Sequence, residues 1–382
     1  MKLLQLCVFA ALVLLTGAPS GAQAQELKIV NIRVGQGDAT LIQGPVDAQG
    51  DRINVLFDAG NRSQRDGGFI LRAVLRRHGV EKLDYLVISH DDADHLGGVG
   101  TGPGTGTSFL LGGNQVPGQR GDDDNDGIED WLPGREFIDP DPEELGTGDD
   151  LRIDHFVDYG DVAMRDTLAI QKYQGIANAM GTRITISDQQ SVDTFQIDLG
   201  DGAVMTCYAA NGFVRGRADR VEKVDTPNEK SLSFLVTFDR FDYLISGDLI
   251  GRKPGLFGNE DARLEFAVGQ AIAADGRDVD ILHVNHHGAD NASEADFLNL
   301  ITPTIAIISA GNGNSHKHPR NNVLRRLAEA GVDRIIQTSW GTSEENIRED
   351  VREHQAIWQQ DIIIRTDGKT YAVETTRSWQ AE

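Results

Sequence analysis

Ser89-His90-Asp91-Asp92-Ala93-Asp94-His95-Leu96-Gly97-Gly98 places four metal-competent side chains, His90, Asp92, Asp94 and His95, within six residues. The run continues Leu83-Asp84-Tyr85-Leu86-Val87-Ile88, an apolar stretch with the length and composition of a buried strand. A strand that ends this way delivers imidazoles and carboxylates at a sheet edge. A tight loop can then turn them toward one point before Gly97-Gly98 releases the chain. Nitrogen and oxygen donors at this density suit one divalent cation, or two sharing ligands. The competing interpretation, a solvated acidic loop with incidental histidines, does not account for what lies further along the chain.

Ten histidines are present, and seven fall in three clusters: His90/His95, His283/His286/His287 and His316/His318. The second and third clusters also lie at or just beyond apolar strand-like runs, 279–284 and 304–309. Asp248 likewise follows Tyr243-Leu244-Ile245-Ser246-Gly247; the same position would also suit a helix N-cap. Other strands are expected at 27–32, 39–42, 54–57, 195–199, 203–209, 231–237, 334–337 and within 361–375. Helices are expected at Phe69 to His78, with Ile70, Val74 and Leu75 on one face, and at Pro319 to Ala330. Two groups of strands with helices between them predict layered α/β sheets.

The chain has 382 residues and a formal net charge of −23. That charge excludes a general nucleic-acid coat protein, which needs surplus Lys and Arg. It does not exclude a nuclease, because bound metal ions supply local positive charge. Residues 1–24 read as a secretory signal peptide, with Lys2, the apolar run Leu3 to Leu15, and Ala22-Gln23-Ala24 as a small-x-small cleavage site. The apolar run is shorter than the ~20 residues that span a bilayer. The expectation is an exported protein, periplasmic or extracellular, with no membrane span and a hydrolase domain over 25–382. Beyond Cys7 there is only Cys207, in an apolar strand-like run, so a buried core role is expected and no internal disulfide.

From about 101 to 191 the composition turns glycine-rich, then acidic, and is expected to be an insertion. It contains Asp122, Asp124, Asp126 and Asp130, in an Asp-x-Asp-x-Asp-Gly-x-x-Asp spacing that resembles calcium loops of the thrombospondin type 3 and EF-hand-like kinds. Pro133 stands where an EF-hand needs its last acidic ligand. A possible Ca²⁺ site is therefore expected, with a plain acidic loop as the alternative.

Taken in order, the motifs resemble the metallo-β-lactamase superfamily. Its His-x-His-x-Asp-His signature is matched at residues 90–95, with Asp92 in place of the second His. With that substitution, Val34-Gly35-Gln36-Gly37-Asp38, Phe57-Asp58-Ala59-Gly60, Asn228-Glu229-Lys230-Ser231-Leu232, Gly247-Asp248, Asn285-His286-His287-Gly288 and Ser309 through His318-Pro319 resemble the hydrolase domain of the ComEC/Rec2 competence proteins. Arg33 and Lys317 depart from that group's Asp and Gly. The resemblance implies a four-layer αββα sandwich. It implies His90 and Asp92 on one metal, Asp94, His95 and a histidine of the 286–287 pair on a second, and Asp248 bridging. His287 is favoured as the ligand and His286 as a substrate or supporting contact, with both left eligible. Zn²⁺ is implied, and Asp92 hardens its site toward Mn²⁺ or Mg²⁺.

The function implied is a binuclear phosphodiesterase or nuclease in which metals activate a bridging hydroxide, acting on a small-molecule or nucleic-acid phosphodiester. Asp94, His286, His318 and Asn228 are the expected catalytic or substrate-contacting residues. His318 suits a donor to substrate, or a cap of the helix after Pro319. The alternatives are a hydrolase of another exported ester, such as a phosphorylcholine ester or a lactone, and a calcium-dependent binding protein with a vestigial site.

Overall fold

A computed structural model describes residues 25–61, 68–99, 151–161, 164–180, 182–221, 224–251, 264–341, 351 and 353–375. The expected signal peptide and the Asp122/Asp124/Asp126/Asp130 loop lie outside the described residues.

The strands in chain order are β1 (Leu27–Asn31), β2 (Thr40–Gln43), β3 (Asn54–Phe57), β4 (Lys82–Val87), β5 (Arg152–Asp158), β6 (Thr182–Thr185), β7 (Gln196–Gly200), β8 (Ala203–Ala210), β9 (Phe213–Val214), β10 (Ser233–Phe238), β11 (Phe241–Ile245), β12 (Ile281–His283), β13 (Ile305–Ile308), β14 (Arg334–Gln337), β15 (Gln355–Ile357), β16 (Ile362–Thr366) and β17 (Tyr371–Thr375). The α-helices are α1 (Gly68–Arg77), α2 (Ala93–Leu96), α3 (Leu168–Met180), α4 (Gln189–Thr194), α5 (Leu264–Ala274), α6 (Ala295–Ile301) and α7 (Asn321–Glu329).

One sheet runs β17-β16-β1-β2-β3-β4-β5-β6 and the other β15-β14-β13-β12-β11-β10-β8-β7, with β9 paired to β8. Successive strand residues alternate between layers, as the period of two requires. Val55 and Phe57 point inward and meet Phe234, Val236 and Ile281 of the second sheet. Leu56 points outward, into a layer with Leu71, Leu75, Ile170 and Tyr173 from α1 and α3. Leu235 and Leu244 point out of the second sheet onto Val268, Phe297 and Leu324 from α5, α6 and α7. Helix, sheet, sheet, helix is the four-layer αββα order expected. Strands covered on both faces explain the continuous apolar runs in the sequence.

Of the stretch 101–191 expected as an insertion, Arg152–Asp158 pairs parallel with β4, and Thr182–Thr185 pairs parallel with β5. Both are integral to the first sheet, so the C-terminal part of that stretch is core. The helix expected from Pro319 starts later, with Arg320 as N-cap and Asn321 as first residue. His318 therefore does not cap it. Cys207 is fully buried between the sheets, as its apolar run implied. Among the described residues, no helix is long and apolar enough to cross a membrane.

Candidate metal centre

The functional side chains gather where the strands of both sheets end. His90 lies just beyond β4, Asp58 follows β3, Asp248 follows β11, and His286 and His287 follow β12. Backbone hydrogen bonds tie these loops together. Ala59 N–H donates to the His95 carbonyl (2.6 Å), Gly98 N–H to Ala59 (3.1 Å), Asp38 N–H to Asp94 (3.1 Å) and His286 N–H to Gly247 (3.1 Å). The contacts leave no room for side chains. A Cβ on Gly98 would sit 2.3 Å from the Ala59 carbonyl oxygen, and one on Gly37 2.3 Å from that of Asp94.

Asp248 is central. Its Oδ1 lies 3.2 Å from His95 Nε2 and 3.6 Å from His287 Nε2. Its Oδ2 lies 3.9 Å from His90 Nε2 and 3.6 Å from His286 Nε2. His90 Nε2 is also 3.4 Å from Asp92 Oδ2, and His287 Nε2 is 3.4 Å from Asp94 Oδ2. The expected ligands His90, Asp92, Asp94, His95, Asp248 and His287 thus converge. No helix begins at Asp248, which sits in a turn, so the N-cap alternative does not apply.

The second nitrogens of the rings are held from behind. His95 Nδ1 is 2.8 Å from Asp58 Oδ2, and Asp58 also accepts the Ser89 N–H and Oγ–H, each at 2.7 Å. His287 Nδ1 donates to the Ser309 carbonyl at 3.0 Å, and His90 Nδ1 is 3.0 Å from Ser89 Oγ. Fixing Nδ1 leaves Nε2 with its lone pair aimed into the cluster, as a metal-ligating histidine requires.

Asp38 joins the cluster without having been expected. With His95, Asp248 and His287 it offers ligand atoms all within 4.8 Å of one another. Both of its oxygens are buried without a hydrogen-bond partner, as are Nε2 of His90, His95 and His287 and Oδ1 of Asp248. Orphaned buried acceptors converging in one place are costly unless a cation meets them, so these residues fit a divalent metal. The sequence signal was an acid closing the glycine loop Val34-Gly35-Gln36-Gly37, just before a strand.

The charges agree. Burial opposes ionisation of Asp248, but the fields of His287 and His95 outweigh it and hold the carboxyl well below its usual range. Burial also opposes charge on His287, yet Asp248 and Asp38 raise its ring to about 10. Burial opposes charge on His95 too, and there Asp248 and Asp58 prevail and raise the ring. Those protons answer the negative field that a cation would answer, so a cation bound there would displace them.

His286 and His287 diverge although adjacent. Both carry left-handed backbone, with φ of 51° and 52°. His287 turns inward and is 1 % exposed, whereas His286 is 20 % exposed, with Nε2 3.1 Å from Asn228 Nδ2. His318 stands over them, its ring 5.5 Å from His286 and 6.2 Å from His287. Burial and then the neighbouring histidines push His318 down to about 3, so near neutrality it is an uncharged, largely buried ring beside the pair. Lys317, where the resembled group has Gly, keeps the left-handed conformation glycine takes freely, at φ 61°. Arg33 is held by Asp361, which accepts its N–H at 2.9 Å, and by Ser339 Oγ.

The strained 286–287 loop is anchored by Asn285, whose Nδ2 donates to the fully buried Glu265 (2.7 Å). Glu265 also accepts the N–H of Ser293 (2.7 Å) and of Glu294 (3.1 Å). Burial nevertheless pushes it from 4.5 up to about 7. A folded value above the unfolded one leaves stability intact below about 4.5. Stability then falls as pH rises toward 7, because the unfolded chain ionises first. In metal-stripped protein, Glu265→Gln should remove that slope. Urea unfolding should show the variant gaining on the parent by about 2–3 kcal/mol between pH 4.5 and 7.5. A pH-independent difference would show that Glu265 ionises freely in the fold.

Comparison with known proteins follows the same lines. The family model of the metallo-beta-lactamase superfamily matches residues 32–105. Recombination protein 2 of Haemophilus influenzae is 26% identical over 303 residues, covering 78% of this chain and 26% of that protein. ComE operon protein 3 of Bacillus subtilis is 37% identical over 59 residues, 15% of this chain and 8% of that protein. The chain thus spans well under two thirds of these relatives. Zinc-bound PqqB of Methylobacterium extorquens superposes with a TM-score of 0.40 at 10% identity, over 80% of this chain and 96% of that one. The matched signature, the two-sheet core and the buried His/Asp cluster point the same way: the chain carries a metallo-beta-lactamase superfamily match over residues 32–105 and is similar to Recombination protein 2 and ComE operon protein 3.

Proposed function

We propose that this chain is an exported phosphodiesterase or nuclease whose centre takes two divalent cations. The observation that carries the reading is the division of Asp248, with one oxygen toward His95 and His287 and the other toward His90 and His286. On this reading His90 and Asp92 hold one cation. Asp94, His95 and His287 would hold the other, with Asp38 beside them, and Asp248 would serve both. Cations bound there supply an activated water at neutral pH and counter-charge for substrate oxygens. The protein fixes the ring tautomers through Asp58, Ser89 and the Ser309 carbonyl. It offers Asn228, His286 and His318, which lie against one another beside the cluster, as hydrogen-bonding groups for substrate oxygens.

The surplus of carboxylates over imidazoles suits Mn²⁺ as well as Zn²⁺. A nucleic-acid diester is supported by the name Recombination protein 2, borne by the relative that matches most of the chain. Export rests on residues 1–24. A Ca²⁺ ion at Asp122, Asp124, Asp126 and Asp130 remains part of the proposal.

The purified chain, supplied with Zn²⁺ or Mn²⁺, should hydrolyse bis-p-nitrophenyl phosphate or DNA and retain two transition-metal equivalents. Absence of turnover with both metals overturns the reading. Turnover of p-nitrophenyl acetate alone would select another ester, and retention of calcium alone would select a binding protein.

A further inference from the structure

Arg165 follows β5 and reaches back to the metal loop across 73 residues of sequence. Its N–H donates to Asp91 Oδ2 at 2.7 Å, and Tyr159 Oη donates to Asp91 Oδ1 at 2.6 Å. Asp91 is only 3 % exposed, so this end of the arginine is set in the protein interior. Its Nε donates to Asp91 Oδ2 (3.1 Å), and its Nη2 to the Asp91 carbonyl (2.6 Å) and to Asp92 Oδ1 (2.5 Å). Those bonds occupy one side of the guanidinium. Nη1 makes no hydrogen bond among the described residues, and the side chain is 48 % exposed. The other oxygen of Asp92 lies 3.4 Å from His90 Nε2, so the free edge of Arg165 stands one carboxylate away from the metal cluster.

The charge balance gives that free edge a task. Asp38, Asp58, Asp91, Asp92, Asp94 and Asp248 crowd this end of the sandwich, and together they exceed the charge of two divalent cations. An anionic substrate approaching them is repelled unless a cation meets it at the mouth. Among the described residues, Arg165 is the one lysine or arginine that ion-pairs with any of these carboxylates. A guanidinium presents paired N–H donors that match phosphate oxygens, and one already held on its far side loses little freedom when it binds. We propose that Arg165 receives the anionic oxygen of the substrate at the mouth of the centre, an assignment that rests on the phosphodiester reading above. Asp91 and Tyr159 are its supports, and Asp92 links it to the metal pocket.

The test compares the parent with Arg165→Met and Arg165→Lys, all metal-saturated. Calorimetry measures binding of inorganic phosphate. Kinetics are measured on bis-p-nitrophenyl phosphate and on neutral p-nitrophenyl acetate. For Arg165→Met, phosphate binding should weaken by about tenfold or more, the worth of one charge-assisted hydrogen bond. The KM for the diester should rise by a like factor, well beyond any change with the neutral ester, with both metal equivalents retained and Arg165→Lys recovering part of the loss. Unchanged phosphate binding and diester KM overturn the proposal. So does equal loss on both substrates together with loss of metal, which would mean that Arg165 only holds Asp92. Arginine-dependent phosphate binding without diester turnover in the parent sinks the phosphodiester reading but keeps the anion site. Diester turnover indifferent to Arg165 does the reverse. A parent that neither binds phosphate nor cleaves the diester overturns both.

Discussion

Asp248→Ala should lower hydrolysis by roughly a thousandfold or more and cost the chain at least one tight metal equivalent. Asp248 lies between His90, His95, His286 and His287, and no other carboxylate in the cluster divides its two oxygens between His95/His287 and His90/His286. Its loss removes the strongest attraction that raises His95 and His287, so both rings should titrate nearer the ordinary imidazole range. Fewer protons should then be released when metal is added, which calorimetry in buffers of different ionisation enthalpy reads directly. Asp38→Asn should be milder, about 10–100-fold in metal affinity, because the other ligands remain. Circular dichroism checks that each variant folds. An Asp248→Ala protein that keeps two tight equivalents and its proton release would refute the central role of this carboxylate.

The opening run could be read so far ahead because its chemistry and its position in the fold share one cause. Leu83 to Ile88 is apolar since β4 is covered on both faces, and His90 lies just beyond the end of that strand. The same coincidence placed Asp248 and the 286–287 pair. Where periodicity fails, the sequence was silent. Helix α5, Leu-Glu-Phe-Ala-Val-Gly-Gln-Ala-Ile-Ala-Ala, is apolar almost all round, so no polar face marks it, and its buried Glu265 looks like an ordinary surface acid. The two adjacent histidines could not be ranked by spacing, since left-handed backbone at both positions sends the rings apart. Asp38 was hidden because a glycine loop does not declare which way its last side chain points. Arg165 was hidden because its partners lie across the sequence and are joined only by the parallel pairing of β5 on β4.

Asp58→Asn tests the layer behind the ligands and should be nearly as damaging as loss of a ligand, although the side chain keeps its shape. Asp58 is fully buried and only accepts. Its Oδ1 takes the Ser89 N–H, and its Oδ2 faces both Ser89 Oγ and His95 Nδ1. An amide can keep its oxygen on the Ser89 N–H, but its NH2 group then meets Ser89 Oγ and His95 Nδ1. The ring answers by accepting at Nδ1 and carrying its proton on Nε2, the atom aimed at Asp248 and the metal cluster. A protonated Nε2 has no lone pair to give a metal, so a substitution one layer removed disables a ligand. Hydrolysis should fall by roughly 10²–10⁴, the upper end being what a wrong histidine tautomer costs in a Ser-His-Asp triad. Metal affinity should fall by about 10–100-fold. Nitrogen-15 spectra of the imidazoles, recorded on metal-loaded parent and variant, should show His95 switching its protonated nitrogen while His287, held by the Ser309 carbonyl, keeps its own. Unfolding free energy should drop by only about 1–3 kcal/mol, because the shape is kept and part of the hydrogen bonding survives. If His95 keeps its proton on Nδ1 and metal affinity is unchanged, Asp58 is no more than a turn residue, and His95 must be oriented by the backbone of the loop that carries it.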